Sequence, residues 1–164
     1  MNNEACYQKR VYWLGFIGFW MAAGAVLSFH YGFYCNMSDS FSQDYFIVKK
    51  QFLPHELHKG IIVITRVDFD NPYIEKGKRL IKQIACEGGD RLELRGREFY
   101  CNDKRIAVAL SHDSKGRKME PFEYNGIIPQ GYVFLTADHP KSFDSRYFGL
   151  SLKAKVEEIG LWRF

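Results

Sequence analysis

The sequence predicts a mainly β protein carrying one N-terminal transmembrane helix, and three observations lead there. Val11 to Phe29 contains no charged residue, about the length a helix needs to cross a hydrocarbon core roughly 30 Å thick. Beyond it, short β-branched and aromatic runs alternate with Gly, Pro and Asn turns, the pattern of a strand-rich domain. Aromatic residues make up 16% of the chain and are rich in Tyr, which suits both strands and membrane interfaces. With 164 residues in all, the part beyond the helix suffices for one domain of about 100–150 residues. The net charge of +4 is spread among acidic residues, so nucleic acid is not an expected partner.

Taken in order, residues 1–10 read as a polar tail ending in Lys9-Arg10, residues 11–31 as the membrane helix and residues 32–164 as one exported domain. A cleaved signal peptide would have a shorter apolar region followed by a small-x-small site. Here Ala23-Gly24-Ala25 lies inside the run, so a retained single-pass anchor is expected. Lys9 and Arg10 flank one side, and Asp39 and Asp44 are the first charges on the other. That asymmetry puts the N-terminus in the cytoplasm and the domain outside, in the periplasm of a Gram-negative source.

Tyr45 to Val48 and Ile61 to Val67 read as strands, separated by a loop and a turn at Leu53-Pro54-His55 and Lys59-Gly60. Asp68 to Gly77 is irregular. Arg79 to Cys86 reads as a strand in which Leu80, Lys82, Ile84 and Cys86 share one face, because alternate side chains point the same way. Leu92-Glu93-Leu94, a turn at Arg95-Gly96-Arg97 and Phe99-Tyr100 make a hairpin. Ile106 to Tyr124 is a polar, exposed excursion, and Gly131 to Thr136 is a further strand. Ala137 to Gly149 is a turn dense in hydrogen-bonding groups, and Ile159 to Trp162 lies in a closing strand.

Cys6 falls on the cytoplasmic side and Cys35 at the outer membrane surface, while Cys86 and Cys101 flank the hairpin where oxidation is permitted. These two form either a disulfide or two separate buried thiols. The cysteines lack the short paired spacing of a zinc site and the five histidines are dispersed, so no metal and no other cofactor is expected.

The chemistry concentrates in serines and one lysine. Ser38, Ser40 and Ser42 alternate, so in an extended backbone their hydroxyls point one way. Lys82 on an apolar face has an ordinary reading, in which its stem packs and its ammonium reaches water. Fully buried, it would lose its proton more readily. As a free amine it could then deprotonate a serine hydroxyl, and such a Ser–Lys pair needs no histidine.

Four blocks in order carry a resemblance to the type I signal peptidase (leader peptidase) family, and within it to the conjugative-transfer, TraF-type pilin peptidases. Asn36-x-Ser38-x-Ser40-x-Ser42-x-Asp44-x-Phe46 is similar to that branch's alternating nucleophile motif, with Ser40 at the nucleophile's place. Lys59-Gly60-Ile61-Ile62-Val63 resembles the family's Gly-Asp-Ile-Val-Val strand. Ile81-Lys82-Gln83-Ile84-Ala85-Cys86-Glu87-Gly88-Gly89-Asp90 resembles the block that carries the base, here Lys82. Asp138 to Gly149 resembles the Gly-Asp-x-x-x-Ser-x-Asp-Ser-Arg-Tyr-x-Gly signature, the most specific of the four. The chain departs from the pattern at Phe41 and Ser42, where Met and Pro are usual, at Glu87-Gly88, which lacks the Pro, and at Ala137, which replaces a Gly.

The resemblance implies a β-rich, signal-peptidase-like catalytic domain and a serine endopeptidase with a Ser40–Lys82 dyad. Ser38 and the backbone of Ser40 would form the oxyanion site, Ser142 would orient Lys82, and Asp144 with Arg146 would brace the site or form a purely structural ion pair. Phe41, Phe46 and Ile84 would line the substrate. The implied partners are the bilayer, an exported precursor, foremost a conjugative pilin, and other transfer components. Water would release the acyl-enzyme as a linear product, and the substrate's own N-terminal amine would release a cyclic one. A general signal peptidase and a non-catalytic assembly subunit of the transfer apparatus are the alternative readings.

Overall fold

The computed structural model describes residues 3–35, 40–43 and 45–163. Helix α1, Asn3–His30, runs straight into strand β1, Tyr31–Cys35. The helix therefore takes in most of the expected polar tail, and the last residue assigned to the span, Tyr31, already belongs to a strand. Its stretch Tyr12–His30, 19 residues, is long and apolar enough to cross a membrane. The large side chains there point outward all round, with Trp13, Phe19 and Met21 more than 60% exposed, which suits a helix solvated by lipid.

The remaining strands are β2 (Tyr45–Lys49), β3 (Ile62–Arg66), β4 (Arg79–Glu87), β5 (Arg91–Arg95), β6 (Glu98–Cys101), β7 (Lys104–Val108), β8 (Asn125–Ile127), β9 (Tyr132–Thr136), β10 (Ser151–Leu152) and β11 (Val156–Arg163). A four-residue helix α2, Ser145–Phe148, lies between β9 and β10. Two antiparallel sheets result, one of order β1-β2-β11-β3-β4-β9-β10 and one of order β7-β6-β5-β8. The β-branched run of β3 lies between β11 and β4 and is buried at four of its five positions, as expected for a central strand. Mainly β architecture with one N-terminal apolar helix is thus what the chain adopts.

Two expectations are corrected. Cys86 does not share a face with Ile84. A bulge lies between them in the β4–β9 ladder, where Ile84 pairs with Leu135 and Cys86 with Phe134. One extra residue reverses side-chain parity, so Ile84 packs with Val63 and Leu135 while Cys86 packs with Phe99 and Phe134 between the sheets. The polar excursion also begins with a strand, because β7 pairs with β6. The signal for it is the two-residue turn Asn102-Asp103, with φ of 48° and 64°. Asn and Asp tolerate that left-handed region, and two such residues in succession close a tight hairpin.

Cys86 and Cys101 are joined in a disulfide that ties β4 to the second sheet across a sequence separation of 15 residues. Closing a loop of that size stabilises a fold by about 3 kcal/mol in the chain-entropy description. Cys35 is exposed as a free thiol. Chemical denaturation of the protein before and after reduction should therefore show a loss of about 2–4 kcal/mol, and Cys86→Ser should reproduce it; equal stability in both redox states would mean that the bridge contributes nothing.

Candidate active site

Lys82 sits in the middle of β4, opposite Val63 and one same-face step from Ile84, both wholly buried. Cross-strand partners share a face, so apolar groups surround its stem and the residue is only 2% exposed. Its Nζ donates to Ser142 Oγ at 2.9 Å and reaches Ser40 Oγ at 3.5 Å. Ser142 Oγ donates to Ser40 Oγ at 3.4 Å. The Lys82–Ser142 bond is of ordinary length and Ser40 stands at the outer edge of reach, a looseness common before substrate tightens a site. Burial pushes the Lys82 amine down to about 8, with the Asp144 carboxylate pulling it up and the Arg146 charge pushing it down. Removing water penalises the charged form most, because no neighbour fully replaces the lost hydration.

Ser40 lies in the connection between β1 and β2. Two contacts hold it: the neighbouring Phe41 is buried edge-on against Phe46, 5.8 Å between ring centroids, and the Ser40 carbonyl accepts from the His139 amide at 3.1 Å. Ser42, the next alternate serine, is exposed. Ser38, expected as an oxyanion donor, and the motif positions Asn36 and Asp44 lie outside the described residues.

The turn that carries Ser142 is built around Arg146. Its guanidinium pairs bidentately with Asp144, Nε to Oδ1 and Nη2 to Oδ2, both at 2.8 Å. The remaining N–H groups donate to the carbonyls of Val108, His139, Pro140 and Ser142 at 2.9–3.2 Å. Asp144 also caps α2 through the Arg146 amide and accepts from the Ala137 amide. Both residues are at most 3% exposed. Removing one partner of such a pair leaves an uncompensated buried charge, at a cost of about 3–5 kcal/mol. Gly149 ends the turn at φ 87°, where any Cβ would stand 2.9 Å from the Phe122 ring, so only glycine fits.

Of the expected site residues, Ser40, Lys82, Ser142, Asp144 and Arg146 are thus brought together. Phe41 and Phe46 are buried in one core cluster and Ile84 in another. Ile84 also lines, with Gly60, Gln83, Ala85, Ile106 and Thr136, a groove of about 370 Å³ beside β4 that neither Lys82 nor Ser40 lines. Two contributors had no assigned role from sequence. The His139 amide holds Ser40, and the buried Ser145 hydroxyl accepts from the Leu135 amide at 2.9 Å, fastening α2 to β9. Only the Asp-Ser-Arg run hinted at Ser145, and a backbone donor such as that of His139 leaves no mark in a sequence. Cys86, Asp90 and Cys101 come close enough to share an ion, but two of the three are sulfurs already joined to each other.

Comparison with known proteins adds a match to the family described as signal peptidase, peptidase S26, over residues 9–162. The conjugal transfer protein TraF of Agrobacterium fabrum is 38% identical over 71 residues, 43% of this chain and 40% of that protein. A probable conjugal transfer protein TraF of Sinorhizobium fredii is 41% identical over 73 residues, 43% of this chain and 37% of that protein. The chain thus spans about two fifths of the length of the curated relatives it matches. A crystal structure of a signal peptidase I from Enterococcus faecalis superposes with a TM-score of 0.42 at 21% identity, covering 62% of this chain and 94% of that one.

The buried amine has a stability consequence with a definite sign. Its folded value of about 8 lies below the ordinary 10.5, so between those values the unfolded chain holds the proton more tightly and stability rises with pH. At neutral pH, Lys82→Met removes a penalty of about 3 kcal/mol and forfeits a hydrogen bond of about 1 kcal/mol. The variant should be more stable than the parent by roughly 2 kcal/mol at pH 7, and urea titrations should show that advantage shrinking as pH rises above about 8 and turning into a deficit of about 1 kcal/mol, the lost hydrogen bond, above pH ~10.5. An unchanged or lower stability at pH 7 would mean that the amine is not desolvated.

Proposed function

Because the chain belongs to the signal peptidase family, peptidase S26, we propose that it is a membrane-anchored serine peptidase that cuts an exported precursor in a conjugative transfer system, with Ser40 as nucleophile and Lys82 as general base. One observation carries this reading: an amine pushed down to about 8 by burial lies 3.5 Å from a half-buried serine hydroxyl. Such an amine is partly unprotonated near neutrality and can accept the hydroxyl proton.

In this mechanism the substrate lies extended as an added strand beside residues 79–82 of β4, which pair with β3 on one side and which the β9 ladder, beginning at Gln83, does not reach on the other. Phe41 and Phe46 form the packed floor under the nucleophile. Ser40 Oγ attacks the carbonyl carbon after a small residue, and its proton passes to Lys82 Nζ. The oxyanion is met by the Ser40 amide and the Ser38 hydroxyl, one such donor being worth about 2.7–4 kcal/mol. Collapse breaks the C–N bond, and the departing amine takes the proton from Lys82. Water then attacks the acyl ester to release a carboxylic acid, or the substrate's own N-terminal amine attacks it to close a ring. Ser142 orients Lys82 Nζ, and the Asp144–Arg146 pair keeps Ser142 in place.

The membrane assignment rests on the apolar stretch Tyr12–His30, taken as a single-pass anchor with residues 1–10 cytoplasmic and the domain from residue 32 on the periplasmic face of the inner membrane. The Cys86–Cys101 bridge is in keeping with an oxidising compartment. Next to the helix, Phe33, Tyr45 and Trp162 are exposed, and aromatic side chains of this kind favour the headgroup region. The relatives named for conjugal transfer support a conjugative transfer setting, and a pilin precursor is the substrate that the motif resemblance implies within it.

Purified full-length protein in lipid nanodiscs, incubated with its cognate prepilin, should yield a mature chain by mass spectrometry, and a product lighter by one water than the linear form identifies ring closure. Ser40→Ala and Lys82→Ala should each lower kcat/KM by at least about 10³-fold. The rate should rise with pH and level off above about 8, where the amine is free. Undiminished cleavage by either variant would remove the dyad.

A further inference from the structure

α1 passes into β1 with no linker, the helix ending at His30 and the strand beginning at Tyr31. A helix end leaves four carbonyls without intrahelical partners, an arrangement that is unfavourable close to a bilayer. Lys50, the residue directly after β2, meets two of them. Its amide donates to the His30 carbonyl at 2.9 Å and its Nζ donates to the Ser28 carbonyl at 2.8 Å. A lysine ammonium there also faces the negative end of the helix dipole. Gly32 makes the approach possible, since a Cβ at that position would stand 2.9 Å from Val48 Cγ2 and 3.3 Å from Lys50 Cε.

The strand that follows is equally constrained. β1 pairs with β2 without a break, from Tyr31 opposite Lys49 to Cys35 opposite Tyr45. The helix end and Ser40 therefore lie at opposite ends of one short hairpin. The five residues of β1, at about 3.3 Å each, give that hairpin a length of roughly 17 Å. A single exposed lysine contact is weak alone. Here it acts together with a backbone bond, a close glycine contact and a full ladder, all of which resist bending at the same joint.

We propose that Lys50 is a positioning residue that latches the membrane helix to the hairpin carrying Ser40, so that the site works at a fixed height above the bilayer and selects membrane-inserted precursors whose scissile bond stands at that height. The proposal rests on the peptidase reading above. It assigns precursor choice to distance from the membrane as well as to side chains near the cut. A precursor with its scissile bond nearer to or farther from the lipid would meet the serine out of register, and small misplacements of reacting groups lower rates steeply.

The test uses the full chain in liposomes and a series of synthetic precursors. Each has an apolar span and one Ala-x-Ala cleavage sequence, and the polar spacer between them is lengthened one residue at a time. A soluble peptide bearing the same cleavage sequence is the control. Wild-type protein should cleave with a sharp optimum in spacer length, about tenfold above spacers a few residues off. Lys50→Ala should flatten that optimum while changing soluble-peptide kcat/KM less than twofold, and Lys50→Arg, which keeps a cationic donor, should restore it. A Gly-Ser insertion between His30 and Tyr31 should flatten it as well. An optimum that stays sharp and unmoved in Lys50→Ala, with the soluble peptide still cut, overturns the latch alone. No cleavage of any substrate by the wild-type protein overturns the peptidase reading and the latch with it.

Discussion

Everything proposed for this chain depends on one amine being kept from water. Lys82 lies on a central strand between apolar neighbours and is almost wholly buried. Its charged form is disfavoured because the few polar neighbours do not make up for bulk hydration. The Asp144 carboxylate favours the charged form, but it is already engaged by Arg146. Were Asp144 free of that partner, its pull on the ammonium would be stronger and Lys82 would hold its proton to higher pH. The ion pair therefore does more than fasten a turn, since it also limits the field acting on the Lys82 amine.

That division of labour gives the polar turn its density of hydrogen bonds. Arg146 serves both oxygens of Asp144 and four backbone carbonyls, so one side chain gathers the carbonyls of His139, Pro140 and Ser142, alongside the turn's own Ser142 amide bond to the His139 carbonyl. Arginine suits this because its planar fork holds several donors in fixed geometry. The same turn reaches Ser40 twice, through the His139 amide on the Ser40 carbonyl and through Ser142 Oγ on Ser40 Oγ. Ser40 and Lys82 come from distant parts of the chain, and the turn is the element that touches both.

Much of this was legible from residue order. The uncharged run, the β-branched strands and the lysine on an apolar face all follow from local chemistry, and the helix, β3, β4 and the buried Lys82 answer to them. What escaped did so for identifiable reasons. The bulge after Ile84 reversed the side of Cys86, because one extra residue in a ladder is set by pairing across strands and not by the strand's own composition. Strand β1 was hidden inside the apolar run, since Tyr31 to Tyr34 suits a helix end as well as an edge strand. β7 was masked by polar residues, although Asn102-Asp103 marks its hairpin. At the site, the serines and the charged pair were readable, whereas the Arg146 contacts to four carbonyls and the role of Ser145 required three-dimensional neighbours.

The most direct measurement is the titration of Lys82 itself. Protein labelled with ¹⁵N-lysine, embedded in nanodiscs and followed by NMR, gives the protonation curve of its Nζ, with Lys82→Arg assigning the resonance. The account predicts a midpoint near 8, well below the surface lysines. A midpoint at the ordinary lysine value of about 10.4 would contradict it, because the amine would then be fully charged at neutral pH and unable to take the serine's proton.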